Sequence, residues 1–338
     1  MADEHPFAAF IRTIGTGPGR SRPLTIEEAH AAGRMMLSDR VEPAQIGAFL
    51  MLWRYKRETP AELAGFVRAA RDLVAAPDPP PRVDLDWPSY ALGRTRGAPW
   101  YVLAALLTAS AGVRVLMHGI AASEPYAGPT AETLARLGIP PAASAEDAAR
   151  RLARDSFAFL PLGAACAGLQ RLLNLRLQLG LRSTANTAAR LLNPFGARAV
   201  LGGVFHPQYR SLHQETAALL GEKRLGVIKG GGESERDPAK PCELFIVEPG
   251  HAWAEEWPAL LLDDPHLRGS DAARPEGIEA LWRGDWDDAR AVAAVTGTAA
   301  IALRLAGRAE TPAAADALAR ALWAGRVRDA IKVPISQH

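Results

Sequence analysis

The 338-residue chain has only two cysteines, Cys166 and Cys242, with no metal-like or redox-like spacing between them. Neither a disulfide framework nor a cysteine-bound zinc site is expected, and both thiols read as inert core residues. The N-terminus lacks the ordered charged, apolar and small-residue regions of a targeting segment. The longest apolar stretch, Trp100 to Ala111, is too short to span a bilayer. A cytoplasmic protein with no membrane partner is expected. An excess of charge of one sign is missing too: the formal net charge is +2, so a polyanionic partner would have to be read from local clusters. Arginine far outnumbers lysine among the 39 basic residues. That suits bidentate phosphate contacts, although high-GC coding produces the same bias. No repeat at a fixed period is evident.

Hydrophobic residues make up 48% of the chain and charged residues 22%, a globular composition with little room for long disordered tracts. The length supports about two domains. From Leu24 to Val74 apolar residues recur at helical spacing: Ala29, Ala32 and Met36, then Ile46, Phe49, Leu50 and Trp53, then Leu63, Phe66 and Val67. Thr25 with Glu28, and Thr59 with Glu62, fit capping boxes that start helices. The proline-rich Ala75 to Arg82 reads as a linker. Beyond it, Val113 to Met117 and Leu225 to Ile228 are apolar runs suited to buried strands. Ala145 to Arg154, Ala165 to Leu179, Asp288 to Leu305 and Pro312 to Ala330 read as helices. The expected fold is α/β: a small helical domain over 1–75 with segments returning later, and a larger domain over 82–338 built on a mainly parallel sheet. Ligands of such sheets sit beyond the carboxyl ends of the strands.

The segments Pro43-Ala-Gln-Ile-Gly-Ala-Phe-Leu50 and Lys56-Arg-Glu-Thr-Pro-Ala-Glu-Leu-Ala-Gly65 closely resemble the N-terminal helical domain of anthranilate phosphoribosyltransferases and pyrimidine-nucleoside phosphorylases. The resemblance continues through Val115 to Gly119, Arg176 to Arg182 with Asn186, Leu192-Asn-Pro194, His206-Pro207, and Thr298 to Gly307. It implies a homodimer joined through the helical domains.

The departures carry more information. Where these enzymes have a Gly-Thr-Gly-Gly-Asp loop, whose small residues let backbone amides approach a pyrophosphate, this chain reads Ala91-Leu-Gly-Arg94-Thr-Arg96-Gly97. The two arginines either hold a phosphate by charge or form a solvated basic turn. The enzymes' Asn-x-Ser-Thr stretch, which contacts phosphates and magnesium, is replaced near Trp100-Tyr-Val-Leu103. These aromatics either stack on bases or belong to the core. The Lys-His-Gly-Asn-Arg motif becomes Met117-His118-Gly119-Ile120-Ala121, which retains only the family-equivalent His118 and Gly119. With no partner carboxylate evident nearby, His118 reads as a structural histidine rather than a general base. The metal-binding acidic pair becomes Ser234-Glu235, within Lys229 to Pro238. Glu235 is the residual contact, although Glu233, Glu235 and Asp237 together could rebuild a site.

Lys229-Gly-Gly-Gly-Glu, Pro88-Ser-Tyr90 and Met117-His118-Gly119 resemble a divergent branch of this family, often labelled glycosyl transferase family protein, some members of which bind nucleic acid without sequence preference. The resemblance implies binding of single-stranded nucleic acid, RNA or DNA, with Arg94, Arg96, Arg176, Arg182, Lys229 and Arg236 lining the former phosphate cleft. The alternative is a phosphoribosyltransferase for an acceptor other than anthranilate, with Arg176 anchoring the acceptor's carboxylate. Only that alternative would call for magnesium.

Overall fold

The computed structural model describes residues 4–91, 97–231, 233–261 and 277–328. The chain begins with four helices: α1 (Ala8–Gly15), α2 (Ile26–Leu37), α3 (Pro43–Lys56) and α4 (Pro60–Arg71). Thr25 and Thr59 each cap their helix through a complete capping box, which satisfies two otherwise orphaned amides at each start. The helices bury Phe49, Trp53 and Phe66 in a cluster of tilted and edge-to-face rings with centroids 5.4 and 5.5 Å apart. Later segments return to this module: α9 (Ala167–Asn174), α10 (Arg176–Leu179) and α11 (Thr184–Ala189). The run Ala165 to Leu179 is not one helix, because the backbone is extended at Cys166, between α8 (Leu162–Ala165) and α9.

The larger domain is a seven-stranded sheet in the order β3-β2-β1-β4-β5-β6-β7. Its strands are β1 (Leu85–Ser89), β2 (Val115–Gly119), β3 (Phe157–Pro161), β4 (Ala199–Val204), β5 (Leu225–Lys229), β6 (Cys242–Glu248) and β7 (His251–Trp257). The first five run parallel and the last two form an antiparallel edge.

Side-chain alternation divides the interior into two cores. Val115, Met117, Phe157, Phe159 and Leu201 face one, with α5 (Trp100–Ser110), α13 (Gly277–Arg283), α14 (Ala289–Leu305) and α15 (Pro312–Ala324). Leu116, Leu160, Val200 and Val204 face the other, which is continuous with the helical module. The apolar run after Pro99 is thus a helix packed on the sheet and α14, and this is why it is hydrophobic all round. Among the described residues no helix is long and apolar enough to cross a membrane.

Polar ties fix the helical module to the sheet layer. Arg71 donates to the carbonyls of Leu191 and Leu192 at 2.7 and 2.9 Å and also pairs with Glu222. Within the module, Glu58 accepts from the hydroxyls of Thr184 and Thr187 on α11.

Candidate functional site

Strand order reverses between β1 and β4, so their carboxyl ends flank the crevice where an open α/β sheet takes its ligand. The segment after β5 fills that crevice. Glu233, only 1% exposed, accepts a hydrogen bond from the Ala91 amide at 2.5 Å, just beyond β1. Glu235 accepts from the Tyr101 amide at 3.0 Å, in the first turn of α5. A carboxylate is favoured there by the helix dipole. Arg190 donates to the Gly203 carbonyl at 3.0 Å; burial lowers its pKa, while the charge of Glu233 opposes that shift. Gly203 and Gly230 permit the fit, since a Cβ on either would lie 2.1 or 2.0 Å from the Glu233 backbone.

Asp237 turns away to pair with Arg290 at 3.1 Å and Lys240 at 3.5 Å. Among the described residues no three histidine, cysteine, aspartate or glutamate side chains converge as a metal would require. The reading that Glu233, Glu235 and Asp237 could rebuild a magnesium site is therefore corrected: Glu233 and Glu235 are spent on backbone amides and Asp237 on cations.

His118 is fully buried at the end of β2, with its Nδ1 2.7 Å from the Tyr90 hydroxyl and its Nε2 3.2 Å from Asp86. A carboxylate is thus present, two residues before the Pro88-Ser-Tyr90 signature. The assembly is sealed from solvent, and burial followed by the charge of Asp86 pushes the Tyr90 pKa well above its ordinary value. Gly119 ends β2 opposite Ser89. Trp100 and Tyr101 resolve toward the core, and the Tyr101 hydroxyl lies 2.7 Å from that of Thr130.

The expected phosphate-binding residues do not all share one surface. Arg94 and Arg96 lie outside the described residues. Arg236 is a correction: it is 1% exposed, donates to Asp316 at 2.9 Å and to the Pro258 carbonyl at 2.5 Å, and lies over the Trp257 ring. It ties the segment to α15 and is not available to a backbone phosphate. Lys229 is exposed at the end of β5, on a cleft of about 1030 Å³ whose other cations are largely neutralised, as in the Arg210–Glu243 pair at 3.0 Å.

Arg176 and Arg182, in contrast, do converge. Burial and then the charges of Arg176, Arg190 and Arg54 lower the Arg182 pKa. Arg176 lies 4.2 Å over the Tyr126 ring, and its Nη1 is buried without a hydrogen-bond partner. Arg54, Tyr55 and Arg57, at the end of α3, border an adjoining groove of about 760 Å³ with Leu181 and Tyr209. His206 continues the surface, with ring centroids 6.5 Å from Tyr209 and 4.9 Å from Phe205. Tyr55 is 89% exposed and Phe205 62% exposed. The sequence reading missed Arg54, Arg57 and Arg190. The run Arg54-Tyr55-Lys56-Arg57 was the available signal, a dense mixture of cations and an aromatic at a helix end.

Residues 8–74 match the glycosyl transferase family helical bundle domain, and residues 102–325 match the glycosyl transferase family α/β domain. An anthranilate phosphoribosyltransferase from Methylobacterium nodulans is 31% identical over 293 residues, covering 84% of this chain and 83% of that protein. The uncharacterized protein YbiB of Escherichia coli is 29% identical over 247 residues, covering 72% and 76%. The structure of anthranilate phosphoribosyltransferase from Thermus thermophilus superposes with a TM-score of 0.73 at 25% identity, over 95% of each chain. The Saccharomyces cerevisiae enzyme in complex with PRPP and Mg shares the fold, with a TM-score of 0.73 at 15% identity over 94% of each chain. By sequence and by fold, the chain belongs to the anthranilate phosphoribosyltransferase-like glycosyl transferase family.

Proposed function

We propose that this chain binds single-stranded nucleic acid without sequence preference, along the surface running from Tyr126 and Arg176 through Arg182, Arg54 and Arg57 to Tyr209, His206 and Phe205. The observation that carries the reading is the groove in which Arg54 and Arg57 stand beside the Tyr55 and Tyr209 rings. No ion pair with a carboxylate engages Arg54, Arg57 or Arg176 among the described residues, so their charge is open to phosphates. Rings offer every base a stacking face, worth about 1–3 kcal/mol per base, and cations track the backbone. Engaging Arg54, Arg57, Arg176 and Arg182 gives an expected log–log salt slope of about −3, at about 0.7 per contact. The test is fluorescence anisotropy with a mixed-sequence oligonucleotide at several salt concentrations. Arg54→Glu with Arg57→Glu, both exposed positions, should weaken binding and flatten the slope by about 1.4. Unchanged affinity and slope would place the binding surface elsewhere.

A second reading, transfer of a phosphoribosyl group to an acceptor other than anthranilate, is favoured by one observation. The unpartnered Nη1 of Arg176 suits an acceptor's carboxylate. Turnover of phosphoribosyl pyrophosphate with magnesium and an aromatic acid would support it.

The homodimer expected from the resemblance is proposed on the outer face of α3, where Ala44 and Ala48 are exposed and Leu52 only partly covered. A helix apolar on both faces needs a partner on each.

A further inference from the structure

We infer that the groove at the end of α3 distinguishes RNA from DNA, with Glu58 accepting a hydrogen bond from a ribose 2′-hydroxyl. The inference rests on the nucleic-acid reading and names the class of strand that the same groove prefers.

The groove of about 760 Å³ is lined by the end of α3, the turn from α3 into α4, the start of α11 and the start of α12 (Gln208–Leu220). These segments bring an acid and two cations to its walls without pairing them. Glu58 lines the groove together with Arg54 and Arg57, yet among the described residues neither arginine forms an ion pair with it. Glu58 instead accepts from the Thr187 hydroxyl at 2.9 Å through one carboxylate oxygen, and from the Thr184 hydroxyl at a longer 3.4 Å through the other. An ionised carboxylate has about four acceptor positions. Glu58 is only partly buried, so the remaining positions are open to a ligand lying in the groove. Its charge acts there as well: after burial, Glu58 raises the Tyr209 pKa most, against the pull of Arg54 and Arg57.

That arrangement decides which part of a strand meets which wall. Arg54 and Arg57 suit phosphates. A phosphate beside Glu58 would be repelled, so the strand must present a hydrogen-bond donor there. Nucleic acids carry two kinds. The amino and imino groups of the bases differ from one base to the next, and a carboxylate reading them would impose a sequence preference. The 2′-hydroxyl is a donor on every ribonucleotide, and deoxyribose lacks it. For a surface that binds mixed sequences alike, the 2′-hydroxyl is therefore the donor that fits. RNA gains a charge-assisted hydrogen bond, whereas DNA sets a C–H group against the carboxylate and leaves its charge unrelieved.

The test compares three oligonucleotides of one mixed sequence by fluorescence anisotropy: RNA, DNA with uracil in place of thymine, and 2′-fluoro RNA, which keeps the ribose pucker without a 2′ donor. Wild type should bind RNA at least about tenfold more tightly than DNA, the worth of one charge-assisted hydrogen bond. The 2′-fluoro strand should bind like DNA. Salt slopes for RNA and DNA should coincide, because the 2′-hydroxyl adds no charge. Glu58→Gln retains an oxygen for the α11 hydroxyls and should shrink the RNA-to-DNA ratio about threefold, since a neutral acceptor gives roughly half the bond. Part of that change comes from DNA, which gains affinity as the like charge leaves. A purely structural Glu58 would instead shift both affinities together and leave the ratio fixed. A fixed ratio in Glu58→Gln, or a preference that 2′-fluoro RNA retains, would overturn the inference. If the variant does not fold, the three strands on wild type still decide. Equal affinity of wild type for RNA and DNA would sink this inference and leave the nucleic-acid reading standing, whereas binding of neither would remove that reading itself.

Discussion

Replacing His213 by leucine should remove a large part of the stability that this protein loses on mild acidification. His213 lies on α12 (Gln208–Leu220) beside β4 and is 1% exposed, and neither ring nitrogen has a hydrogen-bond partner. Burial, and then the charge of Arg190, hold its pKa down to about 3 from an ordinary 6.5. The unfolded chain takes up a proton on this ring near pH 6.5, whereas the folded chain does so only near 3. The unfolded state therefore binds more protons throughout that window, and stability falls as pH falls through it. Each pH unit of complete linkage is worth about 1.4 kcal/mol, so going from about pH 7.5 to about pH 4.5 should cost roughly 2.5 kcal/mol through this residue. Stopping there keeps the measurement clear of most carboxylate protonation. Glu28, for example, is held at about 2 by the Arg22 guanidinium, and the stability it contributes starts to fall only near its ordinary 4.5, equally in both proteins. Leucine has similar bulk and forfeits no hydrogen bond, so the variant should match or exceed wild type at neutral pH. Urea unfolding of both proteins across the window is the assay. Parallel stability curves would refute the reasoning, because they would mean that the folded state accepts the proton without penalty.

Arg236→Ala should destabilise the fold by about 3–5 kcal/mol, since it strands Asp316 beside the core, and thermal unfolding measures it. Gly203→Ala should cost about 1–3 kcal/mol by forcing a Cβ into the Glu233 backbone, read as a lower urea midpoint with an unchanged slope. Ala48→Glu, at an exposed position on α3, should yield a folded monomer in sedimentation velocity where wild type sediments as a dimer. A wild-type monomer at micromolar concentration would remove the dimer proposal.

What could be read from the sequence was what local chemistry decides. Thr25 and Thr59 start helices because each side chain reaches an amide three residues on, and that geometry needs no distant partner. The parallel sheet could be read from short apolar runs because both faces of such strands are buried. The resemblance located the altered phosphate loop and the broken acidic pair. The fate of the charges was not legible, because it depends on partners far along the chain. Arg236 looked like a solvent-facing residue next to a glycine loop, but Asp316, 80 residues away, takes it into the interior. Glu233 looked like one of three carboxylates that could rebuild a metal site, but the Ala91 amide 142 residues away claims it. His118 seemed to lack a carboxylate because Asp86 lies on the neighbouring strand, two residues before Pro88, the register partner of His118. Arg182 feels the charges of Arg54, Arg176 and Arg190 only because the segments carrying α10 and α11 return to the helical module. Whether a charge is exposed, neutralised or spent on an amide depends on Coulomb and desolvation terms between groups that only the tertiary fold brings together.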